Sequence, residues 1–262
     1  MAEGRDISLH TNRTRADSFG EDAEQYDRAR PTYPVELVDA LLIDQPTDVL
    51  DVGCGTGIAS RLFMARGCRV LGIEPDARMA AVAARLGGEV EVGTFESWDA
   101  NDRRFDLLIA AQSWHWVHPQ RGPRKAAEVL RDGGRIGLFW NQSFFDPEIR
   151  QAMTEVYERL EPKLGQEAIV LGWRDDSMYE GVASTLEGTA RFEGVHLERF
   201  GHPVTYTTEQ WLDLVATHSD HRTLPSGPRS ALLEALRVSL DTVGGQVPVD
   251  YQTTLVTART NG

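Results

Sequence analysis

The decapeptide V-L-D-V-G-C-G-T-G-I, residues 49–58, decides how this chain is read. Residues 49–52 have the apolar and β-branched character of a buried parallel strand. They run into three glycines at alternate positions, Gly53, Gly55 and Gly57, and a helix is expected over 59–66. Strand, glycine turn and helix in that order place a ligand at the carboxyl edge of a doubly wound sheet. Glycines in such a turn adopt backbone conformations closed to other residues and keep side chains out of the space where a ligand meets the main chain.

The spacing narrows the ligand. A dinucleotide fingerprint is G-x-G-x-x-G, whereas this chain has G-x-G-x-G with Ile58 in the place of the third glycine. Asp51, just before the first glycine, brings a carboxylate that suits a cationic or amine-bearing molecule and repels a phosphate. With that charge logic, D-V-G-C-G-T-G at 51–57 resembles motif I of the class I S-adenosylmethionine-dependent methyltransferases, of the small-molecule, type 11-like kind.

The resemblance extends over roughly residues 26–141. A second strand over 68–74 ends in Glu74, about 20 residues beyond the glycines, where an acid commonly holds ribose hydroxyls. After a third strand at 89–92, G-T-F-E at 93–96 aligns with the family's adenine-binding turn, with Thr94 and Phe95 where the commoner pattern has an Asp and a small residue. A fourth strand over 105–110 leads into A-Q-S-W-H-W at 111–116, and R-D-G-G-R-I-G-L-F-W is similar to the approach to strand five. The resemblance implies an α/β, Rossmann-like, doubly wound seven-stranded sheet with an antiparallel last strand, an N-terminal lid, and an insertion after strand five. Its cofactor would be S-adenosyl-L-methionine, held by Asp51, Gly53, Gly55, Gly57, Glu74, Thr94, Phe95, Ala111 and Gln112, with Tyr26, Arg30 and Tyr33 from the lid.

Two further stretches carry expected site residues. Residues 19–34, F-G-E-D-A-E-Q-Y-D-R-A-R-P-T-Y-P, resemble the lid preceding the core in small-molecule methyltransferases, which implies that Tyr26, Arg30 and Tyr33 fold over the cofactor or the reacting group. The alternative is that the tyrosines simply pack the lid onto the domain. In A-Q-S-W-H-W, placement makes His115 the candidate general base, while Trp114 and Trp116 serve either as an aromatic wall for substrate or as core. His218 and Ser219 are substrate-side candidates by a loose similarity to enzymes acting on small carboxylic acids. His218 and His221 share helix spacing, but no third ligand stands at a motif distance, so no metal is expected.

At 262 residues the chain is expected to form one domain: an arm and lid over 1–34 that is frayed at 1–17, a cofactor-binding core over 35–141, a substrate-covering insertion over 142–190 bearing Trp173, Met178 and Tyr179, and a return to the core over 191–262. Strands are expected at 195–206 and 251–258 and helices at 148–160, 208–217 and 230–240. The formal net charge of −13 repels polyanions, so the expected partner is a small molecule and not nucleic acid. Two cysteines, Cys54 and Cys68, suit a reducing cytoplasm, and neither a run of about 18 apolar residues nor a leader pattern is visible, so no membrane association is expected. Two rival classes stay open: a nicotinamide or flavin oxidoreductase on the same sheet, and a binder of the cofactor without turnover.

Overall fold

The computed structural model describes residues 20, 22–167 and 176–261. Phe19, Trp173 and the arm over 1–17 lie outside the described residues. In chain order the elements are α1 (Ala23–Ala29), α2 (Val35–Leu41), β1 (Asp48–Val52), α3 (Ile58–Met64), β2 (Arg69–Glu74), α4 (Ala77–Arg85), β3 (Glu89–Val92), β4 (Phe105–Ala111), α5 (Arg121–Val129) and β5 (Leu130–Phe144). The order continues with α6 (Pro147–Leu160), α7 (Pro162–Glu167), α8 (Ser177–Gly188), β6 (Phe192–Thr207), α9 (Thr208–Ala216), α10 (Ser219–Arg222), α11 (Ser226–Thr242) and β7 (Gln246–Thr260).

The strands form one seven-stranded sheet in the order β3-β2-β1-β4-β5-β7-β6. β7 runs antiparallel to both β5 and β6, and the other pairings are parallel. Strand order reverses between β1 and β4, which leaves a crevice beyond their carboxyl ends. β1 is buried at four of its five positions because helices cover both faces. Leu50, Val52, Leu108, Leu138 and Trp140 pack on the face that carries α5 and α8, and Val49, Leu107, Ile109 and Phe139 pack with α2 and α3 on the other.

β5, β6 and β7 are 15, 16 and 15 residues long against five to seven for β1, β2 and β4. At about 3.3 Å per residue, this ribbon projects past the rest of the sheet. α6, α9 and α11 bury its projecting part through Met153, Tyr157, Trp211, Leu236, Val247, Val249 and Tyr251. Thr207 opens α9 with a capping box, accepting from the Gln210 amide while the Gln210 side chain accepts from Thr207.

Residues 142–190 divide between the two sides of the ribbon. α6 joins the cluster just described, and α8 lies over the sheet with Tyr179 2% exposed and its ring 5.4 Å from Trp140. Met178 packs against that same core, so Met178 and Tyr179 are sheet-packing residues and not a cover over substrate. The apolar face of α8 is what the parallel crossover between β5 and β6 must bury.

A buried polar chain fixes α10 to α6. The Tyr157 hydroxyl donates to Nε2 of His221 at 2.7 Å, and Nδ1–H of His221 donates to Asp220 at 2.7 Å, with His221 and Tyr157 fully buried. Burial alone would raise the Asp220 carboxyl, yet the hydrogen bond from His221 holds it well below the ordinary range. Both ring nitrogens of His221 are thereby committed, which removes it as a metal ligand beside His218. Tyr157→Phe leaves Nε2 buried without a donor, and thermal unfolding is expected to show a loss of about 1–3 kcal/mol.

Candidate active site

A cavity of about 350 Å³ opens where β1, β2 and β4 end, within the size range of small-molecule sites. The glycine turn forms one wall. Gly53 has φ +68°, its N–H donates to the Ile73 carbonyl at 2.8 Å, and a Cβ added there would stand 2.6 Å from Ser113 Cβ. Gly55, at φ +58°, donates its N–H to Glu74 Oε2 at 2.9 Å, and the Asp76 N–H donates to Oε1 at 2.9 Å. The end of β2 thus supports the turn after β1, and Glu74 still has lone pairs toward the cavity. Burial pushes the Glu74 carboxyl up to about 7, against the two backbone hydrogen bonds that pull it down.

Asp51 lies behind this wall and is not a lining residue. It is fully buried, its Oδ2 accepts from the Ser60 hydroxyl at 2.6 Å, and its Oδ1 is buried without a partner. Burial pushes the carboxyl up to about 6, opposed by the Ser60 hydrogen bond. Gly57 also falls outside the lining. With φ +83° it caps α3, and a Cβ there would meet Ala83 Cβ at 3.4 Å, so its work is close packing of α3 on α4. Among the three glycines of the turn it is the one placed away from the cavity.

Opposite the glycines the lining includes Thr94, Phe95, Ala111, Gln112 and Trp116. Gln112, at φ +57°, is a non-glycine residue in a sparsely populated conformation, and its side-chain amide donates to the Asn141 carbonyl at 3.2 Å. Trp114 is 4% exposed and packs 6.1 Å from Phe95, so it belongs to the core and not to a substrate wall. His115, on the short 3₁₀ turn Trp114–Trp116, lies outside the lining, and its Nδ1 accepts from the Trp140 indole N–H at 3.2 Å. An indole N–H aimed at Nδ1 leaves the ring proton on Nε2, so neither nitrogen is ready to take a proton. The structure thus places the candidate general base outside the cavity lining. His115→Ala is expected to change turnover by less than about threefold, without removing any ascending limb of the pH profile near the reference imidazole value of about 6.5.

Residues 50–138 match the family model described as a methyltransferase domain. The chain carries a class I methyltransferase domain. An uncharacterised methyltransferase of Mycobacterium tuberculosis H37Rv is 40% identical over 139 residues, 52% of this chain and 54% of that protein. The chain therefore aligns with only about half the length of its mycobacterial relative. A malonyl-(acyl-carrier protein) O-methyltransferase of Pseudescherichia vulneris is 27% identical over 239 residues, covering 83% and 95% of the two chains. The structure of a candidate type II methyltransferase from Anaeromyxobacter dehalogenans superposes with a TM-score of 0.64 at 22% identity over 88% of this chain and 97% of that one, a likeness of fold.

N-terminal to the matched residues, the segment expected as a lid is α1 with its extended exit. Asp22 caps α1, and Asp27 pairs with Arg61 on α3 at 2.8 Å, which seats the helix above the glycine turn. Tyr26 lines the cavity, while Arg30 and Tyr33 do not. Tyr33 is 8% exposed, edge-on to Phe139 at 4.8 Å, and burial holds its phenol well above the ordinary range, so the packing alternative describes it better than ligand contact. Arg30 stacks on Tyr26 at 4.9 Å and donates to the Thr217 carbonyl at 3.0 Å. His218 sits beside Arg30, whose charge adds to burial in holding the imidazole well below its usual range. Ser219 is a buried first residue of α10, placed by packing and away from the lining.

Sequence reasoning missed Ser113, His118 and Arg121 among the lining residues of the methyltransferase domain. Ser113 Oγ donates to the Val52 carbonyl at 2.5 Å and so ties the loop after β4 to the end of β1. A small polar residue directly after a strand that neighbours a glycine turn was the available signal. A larger groove of about 510 Å³ lies between α6 and α11, lined by Val156, Arg159, Ala235 and Val238 among others, and none of the glycine-turn groups reaches it.

Proposed function

We propose that the chain transfers a methyl group from S-adenosyl-L-methionine to a small-molecule acceptor. The observation that carries the reading is Glu74, a buried carboxylate pinned by the Gly55 and Asp76 amides at the floor of the glycine-turn cavity. A carboxylate so placed accepts from a ribose diol. The buried carboxylate of Asp51 behind the same turn, when ionised, biases the cavity toward a cationic group such as the ammonium of an amino acid, a bias that a pyrophosphate would not share. Thr94 and Phe95 bracket the place for a purine, and Ala111 with Gln112 borders the amino-acid end.

When bound, the sulfonium cofactor supplies an already activated methyl group. The protein's share is proximity and orientation. The glycine turn lets the main chain approach, Glu74 fixes the ribose, and Tyr26 on the lid closes the cavity toward solvent. O-methylation is the transfer named for the P. vulneris relative and is compatible with this arrangement. Cys54 and Cys68 are free thiols, which fits a reducing compartment, and no described helix is long and apolar enough to cross a membrane.

Calorimetry with S-adenosylhomocysteine and with NAD, followed by transfer of labelled methyl into a small-molecule cell extract, tests the reading. Tight homocysteine-analogue binding with label transfer is expected. Preference for NAD would favour the oxidoreductase, and binding with no transfer would favour a binder without turnover.

A further inference from the structure

Arg30 is a cation to which the described residues offer no carboxylate. One guanidinium nitrogen donates to a backbone carbonyl, the plane covers Tyr26, and Nε is buried without a hydrogen-bond partner. The phenols and the imidazole beside it are neutral, and the Asp220 carboxylate beyond His218 is engaged by His221. Burial raises the phenols of Tyr33 and Tyr251 and depresses the imidazole of His218. Removing a guanidinium from water among neutral groups costs free energy that an incoming anion restores. Arg30 also stands at the door of the cavity, because the ring it covers is the lid's own lining residue.

Among the described residues around the cavity, the side chains that could take a proton are already hydrogen-bonded, including Glu96, a lining residue whose Oε1 accepts from the His118 amide. Nδ1 of His115 accepts from Trp140, and Nδ1 of His118 accepts from the amides of Gln120 and Arg121 at 3.3 and 3.4 Å. Asp51 is held by Ser60 and Glu74 by two amides, both behind or beneath the cavity. A hydroxyl or amine acceptor would need a base here. An acceptor that arrives ionised would not.

Building on the methyl-transfer reading, we propose that Arg30 is the receptor for a carboxylate of the acceptor and that this carboxylate is the nucleophile. Arg30 holds one carboxylate oxygen through its guanidinium, which turns the other toward the cavity that Tyr26 closes. The free oxygen forms the new O–CH₃ bond as the methyl–sulfur bond breaks. The electron pair of that bond stays on sulfur, the products are a methyl ester and a neutral thioether, and no proton moves.

A carboxylate has two sources here, the acceptor and the amino-acid end of the cofactor itself. Arg30→Met separates them when titrated with S-adenosylhomocysteine and with 5′-methylthioadenosine, which lacks that end. The expected result is homocysteine-analogue affinity within about twofold of wild type, transfer into extract lowered about 10- to 100-fold, the scale of a lost charged hydrogen bond, and partial recovery in Arg30→Lys. Loss of about tenfold or more in homocysteine-analogue affinity, with methylthioadenosine unaffected, would assign Arg30 to the cofactor and overturn the proposal. The wild-type product gives a second test that needs no variant to fold: the incorporated label is expected to leave as methanol in mild alkali, and alkali-stable label overturns the ester. A wild-type protein that transfers no label at all counts against methyl transfer itself and not against Arg30 alone.

Discussion

Gly53→Val is expected to abolish cofactor binding, lowering affinity for S-adenosylhomocysteine by more than about 100-fold in calorimetry. Two physical terms add at this position. The residue sits at φ +68°, where a β-branched side chain is strained by about 1–2 kcal/mol or more, and its Cβ would stand 2.6 Å from Ser113 Cβ. Ser113 cannot retreat freely because its hydroxyl is bonded to the Val52 carbonyl one residue away. The loop after β4 must therefore shift, and with it Gln112 and the far wall of the cavity. A Gly53→Ala, Ser113→Gly double variant relieves the contact but keeps the φ strain, so partial recovery of binding is expected. Full wild-type affinity in Gly53→Val, with an unchanged near-ultraviolet spectrum, would show that ligand does not press on this turn.

Glu74→Ala is expected to weaken the same binding by about 100-fold, since it strips the Gly55 and Asp76 amides of their acceptor and removes the ribose ligand, each a loss of about 1–3 kcal/mol. Glu74→Gln keeps the shape and tests the charge. In the ligand-free protein burial raises Glu74 to about 7 and Asp51 to about 6, so both hold protons at mildly acid pH. A carboxyl whose folded value lies above its unfolded one binds more protons in the native state, so the free protein loses stability as pH rises from about 4 through these values. Cofactor binding draws on the ionised forms and runs the other way: affinity rises with pH, most steeply below about 6 where both groups release a proton on binding, less steeply up to about 7, and levels off above. Glu74→Gln is expected to erase the upper part of that rise and leave the part due to Asp51. Affinity flat from pH 5.5 to 8 in the wild type would contradict both assignments.

The cofactor half of the site was legible because its requirements are local. A turn that must take left-handed φ at Gly53 and Gly55 writes itself as glycine, and an acid at the end of the next parallel strand is a matter of spacing, which is how Glu74 was found beside a turn about 20 residues earlier. Most strands followed from the same kind of local pattern, including the alternation at 251–258 in β7, while β5 and the antiparallel direction of β7 came from the resemblance to the family. The roles of single side chains near the acceptor were not legible. Trp114, His115 and Trp116 are adjacent in sequence and look equivalent there. The 3₁₀ turn sends Trp114 into the core, presents Trp116 to the cavity and delivers His115 to an indole on β5, 25 residues away.

What the amino-acid sequence determined by itself was the class of fold and the position of the glycine-turn cavity, because periodicity, glycine positions and strand-end acids are set by backbone conformation and by which face of an element must be dry. What only the tertiary structure decided was the ionisation and the partners of the groups around that place. Asp51 and Glu74 are moved toward neutrality by burial that no spacing records. Nδ1 of His115 is taken up by Trp140, and among the described residues Arg30 has no ion-pair partner. Desolvation and hydrogen bonding depend on which distant segments meet, so chemistry at the acceptor end becomes readable only once the chain has folded.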